Sequence, residues 1–193
     1  MELSERFDRA LTVASRLHRQ QARKGTEIPY VSHLIGTCSI ALEYGANEDQ
    51  AIGALLHDVL EDVEPLETAR TEVVAFGPEV LRIVEGCTDT VLRPKPPWRE
   101  RKESYIAGIA REDAAVLLVS ASDKLHNARA IVRDLRAAGE SVWSRFNAGR
   151  EGQLWYYRLL VDAFRANAEH QPALIEELAR TVMAIEREAG VRS

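Results

Sequence analysis

Cysteine is scarce: the 193 residues hold two, Cys38 and Cys87, far apart and in no C-x-x-C pairing. That count cannot build a disulfide framework, so both are expected to be buried free thiols of a reducing compartment. Long apolar stretches are missing too, with no run approaching the ~18 residues that a membrane helix requires. The N-terminal MELSERFDRALTVASRLHRQ mixes charged and apolar residues at helical spacing and has no apolar h-region. No signal peptide is expected, no membrane partner, and a cytoplasmic location follows as the expectation. Basic excess is absent: 25 Lys and Arg stand against 30 Asp and Glu, and the pI is about 5.6. This balance excludes the overall electrostatic footprint of a nucleic-acid binder, while leaving room for a local cationic pocket. Repeats, low-complexity tracts, linkers and paired strand patterns are also lacking. With 46 % apolar and 28 % charged residues the chain has an ordinary globular balance, and its length suits one domain over 1–193.

What is present is helical periodicity. Phe7, Leu11, Ala14 and Leu17 or His18 form one stripe of a first helix, closed by the loop RKGTEIPY (23–30), in which Pro29 discourages helix before it. A second helix is expected from about Ser32 to Tyr44, stopped by Gly45. Asn47 and Gln50 read as a capping pair opening a third, which carries AIGALLHDVLED through to Asp62. Further helices are expected near 66–75, 78–85, 100–111, 113–138, 141–147, 150–168 and 172–189. TDTVLRPKPPWRER (88–101), with three prolines, reads as a loop. AVLLVSAS (115–122) has the valines of a strand, yet it runs into DKLHNARAIVRDLRAAG at helical spacing and reads as a long buried helix. The expected class is all-α. The last helix would suit the core or a homo-oligomeric contact equally well.

HDVLED (57–62) conflicts with the apolar AIGALL before it. Burying several carboxylates requires something positive: arginines, water at a surface, or a metal ion. On one continuous helix His57 and Glu61 would share a face and Asp58 and Asp62 the neighbouring one, so His57 and Asp58 could both lean toward a single ion. Two ligands do not close a site; His33 and Asp123 (in SASDKLHN) are further candidates. Two imidazoles and two carboxylates without thiolate suit a borderline or hard divalent ion such as Mn²⁺, ahead of Fe, Co or Zn. Singly, each of these residues is most simply a surface or satisfied core side chain; jointly, with Asp58 and Asp123 following strongly apolar runs, they point to a site. His18, His126 and His170 lack such support and are read as non-ligands.

His33 … His57-Asp58 … Asp123 resembles the H…HD…D signature of the HD superfamily of metal-dependent phosphohydrolases. RKGTEIPYVSHL (23–34), LLHDVLEDV (55–63), GCTDT (86–90), RERKESYI (99–106) and SDKLHNAR (122–129) are similar, in order, to the hydrolase domain of the RelA/SpoT alarmone enzymes and to the free-standing small alarmone hydrolases. The resemblance covers about residues 5–165, leaving a C-terminal extension at about 170–190. It implies a compact HD-domain helical bundle and one Mn²⁺ held by His33, His57, Asp58 and Asp123. It further implies that Glu61 and Asp62 position or deprotonate the attacking water, and that Arg23, Lys24 and Asn127 contact the guanine nucleotide. Arg101 and Lys102 are added candidates for phosphate neutralisation. The implied reaction removes pyrophosphate from the ribose 3′ position of guanosine 3′,5′-bis-pyrophosphate. A chain holding this domain alone is expected to degrade the alarmone and not to make it.

The match is uneven in places. VLRPKPPW (91–98) has no obvious equivalent in the long alarmone enzymes, and Asp89 stands where many of them have Lys. An alternative keeps the metal and changes the substrate, to a 3′-phosphorylated dinucleotide or a nucleoside monophosphate. A catalytically idle nucleotide sensor is a third reading, ranked lowest because ligands and acid/base groups are retained together. Trp155, Tyr156 and Tyr157 could reach a base, but their helical spacing reads first as packing.

Overall fold

A computed structural model describes residues 2–167 and 169–191, and among them the regular structure is helical, with one isolated bridge between Ala22 and Pro29. Helix α1 (Glu5–Leu17) is capped by Ser4, whose hydroxyl accepts from the Arg6 N–H. Helix α2 (Val31–Glu43) ends where Gly45, at φ 88°, lets the Ala46 N–H reach back to the Ala41 carbonyl at 2.9 Å. Helix α3 (Glu48–Leu56) opens in the expected capping box. Asn47 Oδ1 accepts from the Gln50 N–H at 3.0 Å, and Gln50 Oε1 accepts from the Asn47 N–H at 2.7 Å.

The helix carrying HDVLED is not continuous. Helix α3 stops at Leu56, His57 and Asp58 form a turn, and a separate short helix α4 runs Val59–Asp62. The His57 ring donates from Nδ1 to the Ala54 carbonyl at 2.8 Å, the acceptor that an unbroken helix would give to the Asp58 N–H. This side chain-to-backbone bond supplies a physical reason for the break, and with it falls the shared face expected of His57 and Glu61.

Helices α5 (Leu66–Val74) and α6 (Pro78–Cys87) pack beside α4 and α3. Helix α7 (Trp98–Ile109) begins inside the stretch expected to be loop, because Trp98 packs edge-on against Trp155 and Tyr156, both at 6.0 Å. Helix α8 (Ala114–Ala138) is central, touching α2, α3 and α6 and the last helix. Its N-cap Asp113 accepts from the N–H groups of Ala115 and Val116. The run Val116–Asp123 is buried all round, which accounts for its strand-like composition. Gly139 (φ 59°) ends α8, and Gly139–Arg145 forms a 3₁₀ helix where an α-helix was expected over 141–147. Ser141 and Ser144 hydroxyls there donate to the carbonyls of Ala138 and Ser141. Helix α9 (Gly149–Arg165) follows, and helix α10 (Pro172–Glu188) buries Leu174, Ile175, Leu178, Val182 and Ile185 against α8 and α9. One face of the last helix therefore belongs to the core. Among the described residues, no helix is long and apolar enough to cross a membrane.

Candidate metal centre and adjoining cleft

His33 comes from the first turn of α2, His57 and Asp58 from the α3–α4 break, and Asp123 from the middle of α8. His33, His57 and Asp58 each bring a ligand atom to within 4.8 Å of one another. Asp123 Oδ1 lies 3.1 Å from His33 Nε2 and 3.6 Å from His57 Nε2, while Asp58 Oδ2 lies 3.5 Å and 3.0 Å from the same two atoms. Segments far apart in sequence thus turn two imidazole nitrogens and two carboxylates toward one point. His33, His57 and Asp123 are buried.

The electrostatics of this cluster ask for positive charge. Because His57 Nδ1 is committed to the Ala54 carbonyl, its Nε2 faces the carboxylate oxygens, and it is buried without a hydrogen-bond partner. Burial works against ionisation of Asp58, but the His57 and His33 imidazoles outweigh it and hold the carboxyl well below the usual range. For Asp123 burial is likewise overcome, chiefly by the Lys124 ammonium and then by the same two rings. Burial opposes charge on His57 too, and Asp58 and Asp123 more than offset it, drawing a proton to the ring. A divalent cation satisfies the same demand, and the N₂O₂ donor set fits one. Metal binding there would exchange for protons.

A layer of partners orients these side chains. The Tyr30 hydroxyl donates to Asp58 Oδ2 at 2.6 Å, and burial followed by Asp58 and Asp62 pushes the phenol's pKa up, keeping it a donor. His33 and His126 share a hydrogen bond between Nδ1 atoms at 2.8 Å. Burial, His33 and Arg23 lower His126 to about 4, which keeps its ring neutral beside His33. Through that contact His126 steadies the His33 ring. Gly36 is the space for its ring: a Cβ there would lie 2.3 Å from His126 Nε2. Asn127 donates to Asp123 Oδ1 at 2.6 Å and accepts from Arg23 at 2.6 Å, linking the metal cluster to the loop after α1.

Beside the cluster opens a cleft of about 440 Å³. Among its lining side chains are Arg23, Lys24, Arg101, Lys102, Lys124, Arg133 and Arg145, against Asp62 and Asp134 as the acids. A chain of net charge −5 therefore concentrates cations at one cleft. Lys24, also in the lining, donates to Asn147 at 2.8 Å. Arg101 and Lys102 share the buried carboxylate of Asp89, Lys102 at 2.6 Å. The acidic pair divides: Asp62 lines the cleft and accepts from Gln21 at 2.8 Å, whereas Glu61 is absent from its lining and accepts from Lys95 at 2.9 Å. Lys95 and Arg93 belong to the 91–98 segment, and Arg93 also donates to the Glu61 carbonyl at 2.6 Å. Tyr156 and Tyr157 are buried in the core as expected and reach the cleft wall as well, whereas Trp155 packs under Arg99. Gln21, Tyr30, His126 and Lys124 escaped sequence reasoning. Only the Tyr30 position inside R-K-x(5)-Y-x(2)-H carried a signal.

Residues 10–154 match the HD domain family. The chain belongs to that family. Its HD domain is 34 % identical over 130 residues to a guanosine-3′,5′-bis(diphosphate) 3′-pyrophosphohydrolase of Aquifex aeolicus, covering 66 % of this chain and 18 % of that protein. It is 30 % identical over 201 residues to a GTP pyrophosphokinase of Brucella melitensis, covering 93 % of this chain and 26 % of the relative. The chain thus spans about a quarter or less of the length of these curated relatives. Among solved structures, a metazoan orthologue of SpoT, described as hydrolysing ppGpp, superposes with a TM-score of 0.77 at 29 % identity, over 100 % of this chain and 99 % of that one. A Listeria monocytogenes protein gives 0.70 at 28 % identity, over 80 % and 99 %.

Proposed function

We propose that this HD domain is a Mn²⁺-dependent guanosine 3′,5′-bis(diphosphate) 3′-pyrophosphohydrolase, releasing GDP and pyrophosphate. The observation that carries the reading is the placing of a His₂Asp₂ cluster and a carboxylate, Asp62, against a cleft rich in guanidinium and ammonium groups. His33, His57, Asp58 and Asp123 would hold the ion. A divalent ion bound there supplies Lewis acidity toward a phosphoryl oxygen and toward water. The reaction joins a water oxygen to the phosphorus next to the ribose 3′ oxygen and breaks the bond between them. Asp62, with Glu61 beside it, accepts the water's proton, and the 3′ oxygen leaves as a hydroxyl. Arg23 and Lys24, with Arg101 and Lys102 of the same cleft lining, neutralise the phosphates; Arg serves as a two-pronged donor and Lys as a point charge. Asn127 both steadies Asp123 and turns Arg23 toward the nucleotide. Buried, unpaired Cys38 and Cys87 accord with a cytoplasmic setting for such a nucleotide hydrolase.

The deciding experiment incubates purified protein, stripped and reloaded with Mn²⁺, with guanosine 3′,5′-bis-pyrophosphate and resolves the products. GDP and pyrophosphate in equal amounts, lost on chelation, are expected. An intact 3′-pyrophosphate, alongside turnover of a 3′-phosphorylated dinucleotide or a nucleoside monophosphate, would overturn the substrate assignment and keep the HD site.

A further inference from the structure

The buried imidazole of His18, at the end of α1, lies outside the metal cluster and plays no part in the mechanism above. Its ring stacks on Tyr30 at 5.2 Å with the planes 22° apart. Its Nδ1 lies 2.6 Å from Gln21 Oε1, and Gln21 Nε2 lies 2.8 Å from Asp62 Oδ2. The chemistry of the three groups assigns the protons. An ionised carboxylate can only accept, so the Gln21 amide must present its NH₂ to Asp62. The Gln21 carbonyl oxygen then faces His18, which can meet it only with an Nδ1–H. The other ring nitrogen, Nε2, is buried with no partner, as suits a bare lone pair in preference to a stranded donor.

We propose that His18 is a positioning residue that acts through Gln21. By donating from Nδ1 it locks the amide in the one orientation that gives Asp62 Oδ2 a hydrogen bond, and so aims the other oxygen, Oδ1, which lies 3.7 Å from Lys95 Nζ, at the attacking water. The inference rests on the reading of Asp62 as the proton acceptor. The same ring backs Tyr30, whose hydroxyl holds Asp58, so one residue supports both a metal-site carboxylate and the acid/base carboxylate from behind. Released from His18, the amide could rotate and turn its oxygen toward Asp62, a repulsive contact that would swing the carboxylate away.

The test separates the two supports. His18→Phe keeps a ring under Tyr30 and deletes the donor; His18→Asn restores a donor near the Nδ1 position; Gln21→Ala removes the link. With Mn²⁺-loaded protein and guanosine 3′,5′-bis-pyrophosphate, His18→Phe and Gln21→Ala are each expected to lower kcat about 10-fold, with KM changed less than about twofold. The double variant should be no slower than Gln21→Ala alone, and His18→Asn should recover part of the loss. Full kcat in His18→Phe, or losses that multiply in the double variant, would overturn the proposal. A measurement free of turnover completes it: ¹⁵N NMR of the wild-type histidine rings should show His18 as the Nδ1–H tautomer, and an Nε2–H signal would refute the link even if the variants failed to fold. Should the wild type not act on this nucleotide while His18 is the Nδ1–H tautomer, the substrate assignment fails and the hydrogen-bonded link stands.

Discussion

Asp58 and Asp123 are carboxylates that the surrounding imidazoles and Lys124 keep ionised against the cost of burial. Replacing either by Ala removes an anionic donor from a four-donor cluster. Metal analysis after dialysis should find Asp58→Ala and Asp123→Ala without a stoichiometric ion, and both should lose turnover. Glu61→Gln and Asp62→Asn leave that donor set intact and should retain the ion while losing rate; an active Asp58→Ala would refute the ligand assignment. Gly36→Ala tests the layer behind the ligands. The new Cβ would lie 2.3 Å from the His126 ring, which must move and release His33, so metal affinity should fall about 10-fold or more while the helix itself tolerates alanine. Cys38 and Cys87 are buried, and burial pushes the Cys38 thiol up to about 12 and raises Cys87 further. Thiolate is the reactive form, so an alkylating reagent at pH 8 should label neither until the protein is unfolded.

Among the elements, α3 and the break after it matter most. The capping box at Asn47 and Gln50 satisfies N–H groups that the first turn cannot. Asn47→Ala should cost about 1 kcal/mol, readable as a lower urea midpoint with an unchanged slope. At the His57-Asp58 turn both side chains converge with His33 and Asp123. The helical-spacing argument assumed an unbroken helix over 57–62, and the structure has a break there. His57 and Asp58 meet because the ladder is broken between α3 and α4, and Asp62 reaches the cleft while Glu61 pairs with Lys95. The 3₁₀ segment Gly139–Arg145 shows a related limit: serine hydroxyls competing for carbonyls do not alter apolar spacing and so leave no periodic trace.

Across the molecule, charge and packing each show what separate segments cannot. The cleft gathers basic residues from the loop after α1, from α7 and from α8, and an anionic substrate should feel them together. We propose that α10 is an integral layer of one folding unit. Truncation after Arg165 would uncover the partners of Leu174, Ile175, Leu178, Val182 and Ile185, each worth about 1.5–3 kcal/mol when fully buried. That sum is comparable with the ~5–15 kcal/mol net stability of a whole domain, so the truncated chain should show no cooperative thermal transition. A sharp melt at the full-length temperature would show that α10 is dispensable.

The helical class was legible because apolar spacing, caps such as Asn47-Gln50 and stops such as Gly45 act over a few residues, the range in which a linear sequence expresses its physics. His33, His57, Asp58 and Asp123 were legible because ligand-competent side chains beside AIGALL and AVLLV have no cheap place in a core. Tertiary structure alone decided the rest. Gln21 is 41 residues from Asp62, His126 is 93 from His33, and Arg23 is 104 from Asn127. Such partners meet only when α2 and α8 pack together and the loop after α1 folds across them. No spacing rule encodes a hydrogen bond between two residues until the helices carrying them have docked.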